Sequence, residues 1–194
     1  MGSGEPERIA RSDEANADSN DDGDDGYERM SRDIRRRSIN VLYTNAQSVV
    51  NKIEEMKAVA SIYNPDVIIL TETWTNDSVS NEYLSINGYE IIERMDRNDT
   101  DKGRGGGIVV YVMKDLCAWK IKCDSDFNQY GMVGIKLNNK DLKILTVYRS
   151  PNSVKTNDDE LCKLLEKMNG LYVIFGDFNF PDISLPARRK SNSQ

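Results

Sequence analysis

Polar side chains that could hold a metal ion and a phosphate group follow three apolar segments of this sequence. They are Asn45 after INVLY, Glu72 after VIIL, and Asp177 with Asn179 after VIF. Asp177 and Asn179 are two residues apart, so in an extended chain they lie on the same side. If the three segments are neighbouring strands, these side chains meet at one edge of a sheet.

A glutamate and an aspartate that meet at a sheet edge repel each other and are costly to desolvate unless a cation lies between them. Hard oxygen ligands suit Mg²⁺, with Mn²⁺ as an alternative ion, and Mg²⁺ keeps water molecules for a phosphate substrate. The chemistry expected of Glu72 and Asp177 is therefore hydrolysis of a phosphoryl group. The alternative is that Glu72 is a solvated strand terminus and Asp177 a turn residue.

The elements that must position these residues form a mixed α/β pattern. Apolar residues recur at helical spacing from Val49 to Tyr63, and Asn64-Pro65 ends that helix. The unbroken apolar run of DVIILTETW predicts a strand covered on both faces. Further strands are predicted in GYEIIER, GGIVVYVM, LCAWKIKC, QYGMVGIKL, DLKILTVY and LYVIF, with a second helix in DDELCKLLEKM capped by Asn157 or Asp158.

The 194-residue chain divides into a polar tail, one domain and a short second tail. Residues 1–37 carry a net charge of −4 and almost no large apolar side chains, which predicts a disordered and dispensable segment. Within it, the basic run at 29–37 is either a nuclear-localisation or nucleic-acid contact or a solvated linker. The domain is expected over 38–183, and residues 184–194 are predicted to form an unstructured tail.

Composition excludes several classes of function. Outside residues 1–37 the net charge is only −2, which argues against a strongly basic surface that coats nucleic acid. We expect neither a membrane span nor a signal peptide, and therefore an intracellular protein, nuclear or cytoplasmic. Three cysteines without CxxC spacing are interpreted as reduced, buried thiols rather than a zinc site. The loop GRGGG lacks P-loop spacing, so no nucleotide cofactor is expected.

Five segments in order give the sequence a family resemblance. They are TNAQS, LTETW, ERMDRNDTDKGRGGGIVVYV, TVYRSP and GDFNFPDI. Together they resemble the endonuclease/exonuclease/phosphatase superfamily, and most of all the apurinic-type endonuclease domain of non-LTR retrotransposons. The resemblance covers about Ile39 to Ile183. It implies a DNase I-like two-sheet α/β sandwich flanked by helices, with a Mg²⁺-dependent site that cleaves phosphodiester bonds in DNA.

The resemblance also implies roles for residues at matching positions. Glu72 would be the main metal ligand, with Asn45 assisting at the metal and the phosphate. Asp177, the second carboxylate at the ion, would orient or deprotonate the attacking water. Asn179 would hold the phosphate and the charge that develops on it, and Tyr148 would contact the scissile phosphate.

Two arginines and two tryptophans remain. Arg94 and Arg97 precede the glycine-rich loop, and they either face nucleic-acid phosphates or belong to a mobile turn with solvated charges. Trp74 and Trp119 are interpreted as packing residues of the core or its rim.

The sequence departs from the family after GDFN. Members of the family close with a Ser-Asp-His motif, whereas this chain contains no histidine. The expected domain is therefore incomplete at its C-terminus, for which a truncated element, a splice product or an unrelated terminal exon would each account. Two functions stay open: an endonuclease fragment that nicks DNA poorly or not at all, and a non-catalytic module that binds nucleic acid or protein. A small-molecule phosphatase is disfavoured by the TETW and GGG segments.

Overall fold

The computed structural model describes residues 38–97, 105–137 and 139–180. The two predicted tails, residues 1–37 and 184–194, lie outside the described residues. So does the end of the predicted domain after residue 180.

The first sheet contains the earlier half of the strands. Its members are β1 (Val41–Asn45), β2 (Val67–Thr71), β3 (Tyr89–Met95) and β4 (Ile108–Met113), in the spatial order β1-β2-β4-β3. β1 and β2 are parallel, whereas β4 runs antiparallel to both of its neighbours. All five residues of β2 are buried, as expected of a strand covered on both faces.

The second sheet contains the later strands. Its members are β5 (Ala118–Lys120), β6 (Tyr130–Leu137), β7 (Lys140–Tyr148) and β8 (Leu171–Asp177), in that spatial order. β5, β6 and β7 are antiparallel, and a hairpin joins β6 to β7, with Asn139 at a φ of 63° in its turn. β7 and β8 are parallel, which brings their carboxyl ends to the same edge.

Two helices cover the outer faces of the sheets. Helix α1 (Ile53–Tyr63) ends at Asn64, whose left-handed conformation stops the helix before Pro65. Helix α2 (Lys155–Glu166) begins three to four residues earlier than the sequence indicated, because its N-cap is Val154. The prediction of Asn157 or Asp158 as the cap is wrong. The carboxylate of Asp158 instead pairs with the guanidinium of Arg149.

The core has three layers of apolar contacts. One lies between α1 and the first sheet and includes Met56, Ile68 and Leu70. The central layer lies between the two sheets and includes Ile69 and Ile144. The third packs α2 against the second sheet. Because successive side chains of a strand point to opposite faces, each sheet contributes apolar residues to two of these layers. Both sheets are therefore covered on both faces.

This architecture confirms the predicted two-sheet α/β sandwich flanked by helices. Neither helix in the described ranges is long and apolar enough to cross a bilayer. The expectation of buried cysteines is wrong for Cys117 and Cys162, which are exposed on the surface.

Candidate functional site

The predicted site residues lie at one edge of the sandwich, to which both sheets contribute. Asn45 is the last residue of β1 and pairs in register with Thr71, directly before Glu72. In the other sheet Tyr148 ends β7 and pairs in register with Asp177, the last residue of β8. The parallel pairing in each sheet is the reason that these polar residues end their strands at the same level.

A hydrogen bond between Asn45 and Asp177 joins the two sheets at this edge. The Asn45 Nδ2 donates to the Asp177 Oδ2 at 3.0 Å, and the Asn45 Oδ1 accepts from the backbone N–H of Gln47 at 3.2 Å. Below them, the rings of Tyr43 and Phe175 stack across the same gap, with centroids 6.0 Å apart. The carboxylate of Asp177 is therefore positioned from the other sheet.

The carboxylate of Glu72 is held by donors from two directions. Its Oε2 accepts from the Trp74 Nε1 at 2.7 Å and from the backbone N–H of Gly106 at 3.3 Å. Glu72 and Trp74 both have a positive φ, 54° and 56°, which is uncommon for residues with a side chain. This local backbone turns the carboxylate toward the edge.

The hydroxyl of Tyr148 lies where the two carboxylates converge. Tyr148 is only 4% exposed, and burial raises the pKa of its phenol, with a hydrogen bond to Glu72 and the charge of Asp177 adding to the effect. A Cβ at Gly105 would lie 3.1 Å from this hydroxyl and 3.3 Å from the Glu72 Oε2 and so would crowd both, and the φ of +136° there also favours glycine. At neutral pH the phenol is therefore uncharged and able to donate a hydrogen bond.

Asn179 is fixed by the buried side chain of Arg149. The Asn179 Nδ2 donates to the carbonyl of Arg149 at 2.9 Å, and the Asn179 carbonyl accepts from the Arg149 Nη1 at 2.7 Å. The guanidinium is also paired with both oxygens of Asp158, at 2.7 and 3.0 Å, and lies over the ring of Phe180. Among the described residues, the second amide N–H of Asn179 has no hydrogen-bond partner.

The two arginines proposed to face phosphate have different surroundings. Arg94 donates to both carboxylate oxygens of Asp96, to the side chain of Asn81 and to the carbonyl of Asn76. The hydrogen bonds of the Arg94 guanidinium are thus made to other groups of the protein. Arg97 lines a small cavity of about 90 Å³, together with Tyr148 and the glycines from 105 to 107.

The donor set at the edge is compatible with a hard divalent cation. It comprises the carboxylates of Glu72 and Asp177 and the carboxamide oxygen of Asn45. Among the described residues no group of three or more His, Cys, Asp or Glu side chains could form an all-protein metal cage. Mg²⁺ does not need one, because it commonly binds one or two carboxylates and retains several waters.

Two residues of the site were missed or misread from the sequence. Arg149 lies inside the TVYRSP segment, directly after Tyr148, but nothing in the sequence indicated that its guanidinium would be buried. Trp74 lies inside LTETW, and its interpretation as a packing residue is incomplete because its indole N–H contacts Glu72.

Solved structures with the same fold include three nucleases. The endonuclease domain of TRAS1, a telomere-specific non-LTR retrotransposon, matches with a TM-score of 0.52 and 14% identity, over 73% of this chain and 59% of that domain. The AP endonuclease LMAP from Leishmania major matches at 0.54 and 15%, over 72% and 54%. An AP endonuclease from Archaeoglobus fulgidus matches at 0.51 and 12%, over 73% and 58%.

The chain thus spans less than two thirds of the length of each of these structures. No curated protein matches it. The model of the Endonuclease/Exonuclease/phosphatase family matches residues 38–194, which is most of the chain. The chain therefore belongs to the endonuclease/exonuclease/phosphatase family.

Proposed function

We propose that this protein is a divalent-metal-dependent endonuclease domain, of the kind found in retrotransposons, that hydrolyses phosphodiester bonds in DNA. The observation that supports this most is that Glu72 and Asp177 follow strand ends at the same edge, where Asn45, in register with the residue before Glu72, donates to Asp177 at 3.0 Å. Two acidic groups at one point favour a cation over an empty site. The retrotransposon and AP endonucleases with the same fold support DNA as the substrate.

Glu72 would be the main ligand of the ion, with Asp177 and the Oδ1 of Asn45 completing the protein's share. Mg²⁺ is the expected ion and Mn²⁺ the alternative, because all three donors are hard oxygens. When bound, such an ion neutralises phosphate charge and lowers the pKa of a bound water.

The side chains around the ion site have separable roles. Asp177 would orient the attacking water and accept its proton. Tyr148, an uncharged phenol whose single O–H contacts Glu72, would turn that O–H to the scissile phosphate once the Glu72 carboxylate binds the ion. Asn179 would donate its second amide N–H to the same phosphate, where negative charge increases during cleavage. None of these three roles requires a charged form other than the carboxylate of Asp177.

The arginines would contribute to DNA binding in two ways. Arg97 lies beside Tyr148 at the small cavity, where a guanidinium can contact a neighbouring phosphate. Arg94 is held by Asp96 and Asn81, and so would support the segment that carries Arg97.

The turnover of this chain should be slow. It contains no histidine, so no imidazole can stabilise the leaving oxygen. Loss of one preorganised donor of this kind typically costs a factor of about 10²–10³ in rate. The second function, a module that binds nucleic acid without cleaving it, is favoured only if no cleavage is detected.

The test is the nicking of supercoiled plasmid by the full chain with Mg²⁺ or Mn²⁺. The variants are Glu72→Gln and Asp177→Asn, which keep size and remove charge. Glu90→Gln is the matched control, because Glu90 is an exposed carboxylate of β3. We expect slow nicking by the wild type and by the control, loss of nicking in both site variants, and no nicking in the presence of a chelator.

Two outcomes would contradict the proposal. Nicking that persists in both site variants would place the chemistry elsewhere or in a contaminant. No nicking with either ion, together with intact DNA binding, would instead support the non-catalytic module.

A further inference from the structure

Trp74 makes a contact that packing alone does not require. Its indole N–H donates to the Oε2 of Glu72 at 2.7 Å, a short distance for a bond to a carboxylate. The backbone N–H of Gly106 addresses the same oxygen at 3.3 Å. The Trp74 indole and the Gly106 N–H thus orient the Glu72 carboxylate together with the Tyr148 hydroxyl.

The backbone at Glu72 and Trp74 is strained, and hydrogen bonds from two neighbouring segments hold it in place. Both residues are left-handed, and non-glycine residues persist in that conformation only when their surroundings impose it. Here the Ser48 N–H donates to the Glu72 carbonyl at 2.9 Å, and the Trp74 N–H donates to the Gly106 carbonyl at 3.0 Å. Gly107 permits this close approach, since a Cβ there would overlap the Thr73 hydroxyl.

The side chains of Glu72 and Trp74 lie on the same side of the chain, since the indole N–H contacts the carboxylate. The Trp74 N–H thus donates to the carboxylate that we propose as the main ligand of the ion. A ring that only filled space would not need its nitrogen to be aimed at Glu72.

We propose that Trp74 is a positioning residue, which holds the carboxylate of Glu72 in the orientation that binds the divalent ion. This inference rests on the proposed function, because it concerns the same ion. A carboxylate with such a partner loses less rotational freedom when the ion binds. Removal of a hydrogen-bond partner that orients a metal ligand typically lowers metal affinity by a factor of about 10–100.

The test compares two substitutions of tryptophan by phenylalanine in the full chain. Trp74→Phe keeps an aromatic ring and removes only the N–H donor and part of the ring area. Trp119→Phe is the matched control, because Trp119 lies in β5, where its ring packs over Gly134. The readout is Mn²⁺ affinity, measured from the electron paramagnetic resonance signal of free Mn²⁺, with no DNA present.

We expect Trp74→Phe to bind Mn²⁺ about 10–100 times more weakly than the wild type, and Trp119→Phe to bind it unchanged. Unchanged affinity in Trp74→Phe, with normal binding by the wild type, would overturn this inference alone. A wild type that binds no Mn²⁺ would contradict the proposed function itself and, with it, this inference.

A second measurement leaves Trp74 in place, so it tests whether the ion binds beside Trp74 and Glu72 even if Trp74→Phe does not fold. Tb³⁺, an oxygen-seeking ion, is added to the Trp119→Phe protein, and its emission is recorded while only tryptophan is excited. We expect sensitised Tb³⁺ emission, which additional Glu72→Gln should abolish, because Trp74 contacts that carboxylate. Emission that requires Trp119, or that survives Glu72→Gln, would overturn the proposal.

Discussion

Asn45 and Asp177 lie 132 residues apart in the sequence and in different sheets, yet the Asn45 Nδ2 donates to the Asp177 Oδ2 at 3.0 Å. The bond is exposed, so its contribution to the free energy of folding is small. Its importance is geometric. A residue at the end of β1 fixes a carboxylate at the end of β8. The bond therefore joins the two sheets at the edge where the ion is proposed to bind.

Replacement of Asn45 by aspartate should make folding depend on a divalent ion. The substitution places a second carboxylate within hydrogen-bond distance of Asp177, and two such charges repel unless a cation lies between them. We expect a lower Tm in chelator, by about 2–4 °C per kcal/mol of repulsion for a chain of this size. Added Mg²⁺ should raise the Tm by more than in the wild type.

Asn87→Asp is the control for added charge, because Asn87 is exposed on the segment before β3. Its Tm should not respond to Mg²⁺ differently from the wild type. If Asn45→Asp behaves like this control, Asn45 and Asp177 do not share an ion site.

Tyr148→Phe should lower the nicking rate without changing its pH dependence. Removal of the hydroxyl removes one hydrogen-bond donor to the phosphate, at a cost of about 10²–10³ in rate. Because burial and Glu72 raise the pKa of this phenol above its ordinary value of 10.0, it stays protonated throughout the neutral range. The ratio of wild-type to variant rates should therefore be constant from about pH 6 to about pH 9.

The same raised pKa has a consequence for stability. Folding favours the uncharged phenol. The contribution of Tyr148 to the free energy of folding is therefore fully present below the ordinary pKa of 10.0 and is lost as the pH rises above that value.

If the ratio of the wild-type to the Tyr148→Phe nicking rate fell steeply within the neutral range, Tyr148 would ionise there, which contradicts its buried environment beside Glu72.

Arg149→Lys should destabilise the protein although the charge is retained. Lysine cannot reproduce the forked contact with both oxygens of Asp158 or reach the Asn179 carbonyl at the same time. We expect the free energy of unfolding in urea to fall by about 1–3 kcal/mol, the range for a buried group left without a partner. Nicking should fall further than this loss explains, because Asn179 is released.

Lys136→Met is the control, because Lys136 pairs with Asp141 on the exposed surface of the β6–β7 hairpin. Exposed pairs contribute about 0–1 kcal/mol. Equal destabilisation by Arg149→Lys and Lys136→Met would mean that the contacts of Arg149 with Asp158 and Asn179 do not hold the segment after β8.

The sequence was sufficient to predict the strand ends but not their mutual contacts. Asn45, Glu72 and Asp177 each follow an apolar run, and strand ends in parallel pairs converge, so their common edge could be inferred from local pattern. The bond from Trp74 to Glu72 depends on left-handed backbone at two residues with side chains, which no local propensity predicts.

Asp158 is a second case in which a contact between distant segments could not be predicted from the local sequence. Its place near the start of a helical pattern is typical of an N-cap, and that prediction failed because a buried arginine nine residues earlier takes its carboxylate. Such pairing is decided by how β7 and α2 pack, and this information is not contained in the sequence around Asp158 itself.

Anomalous diffraction from crystals soaked in Mn²⁺ is the most direct test of whether Glu72 and Asp177 share one divalent ion. We predict one strong anomalous peak at this edge, in contact with the Glu72 carboxylate and joined to Asp177 directly or through one water. The peak should be absent from crystals of Glu72→Gln. No peak at this edge, or a peak unaffected by Glu72→Gln, would show that Glu72 and Asp177 do not share an ion.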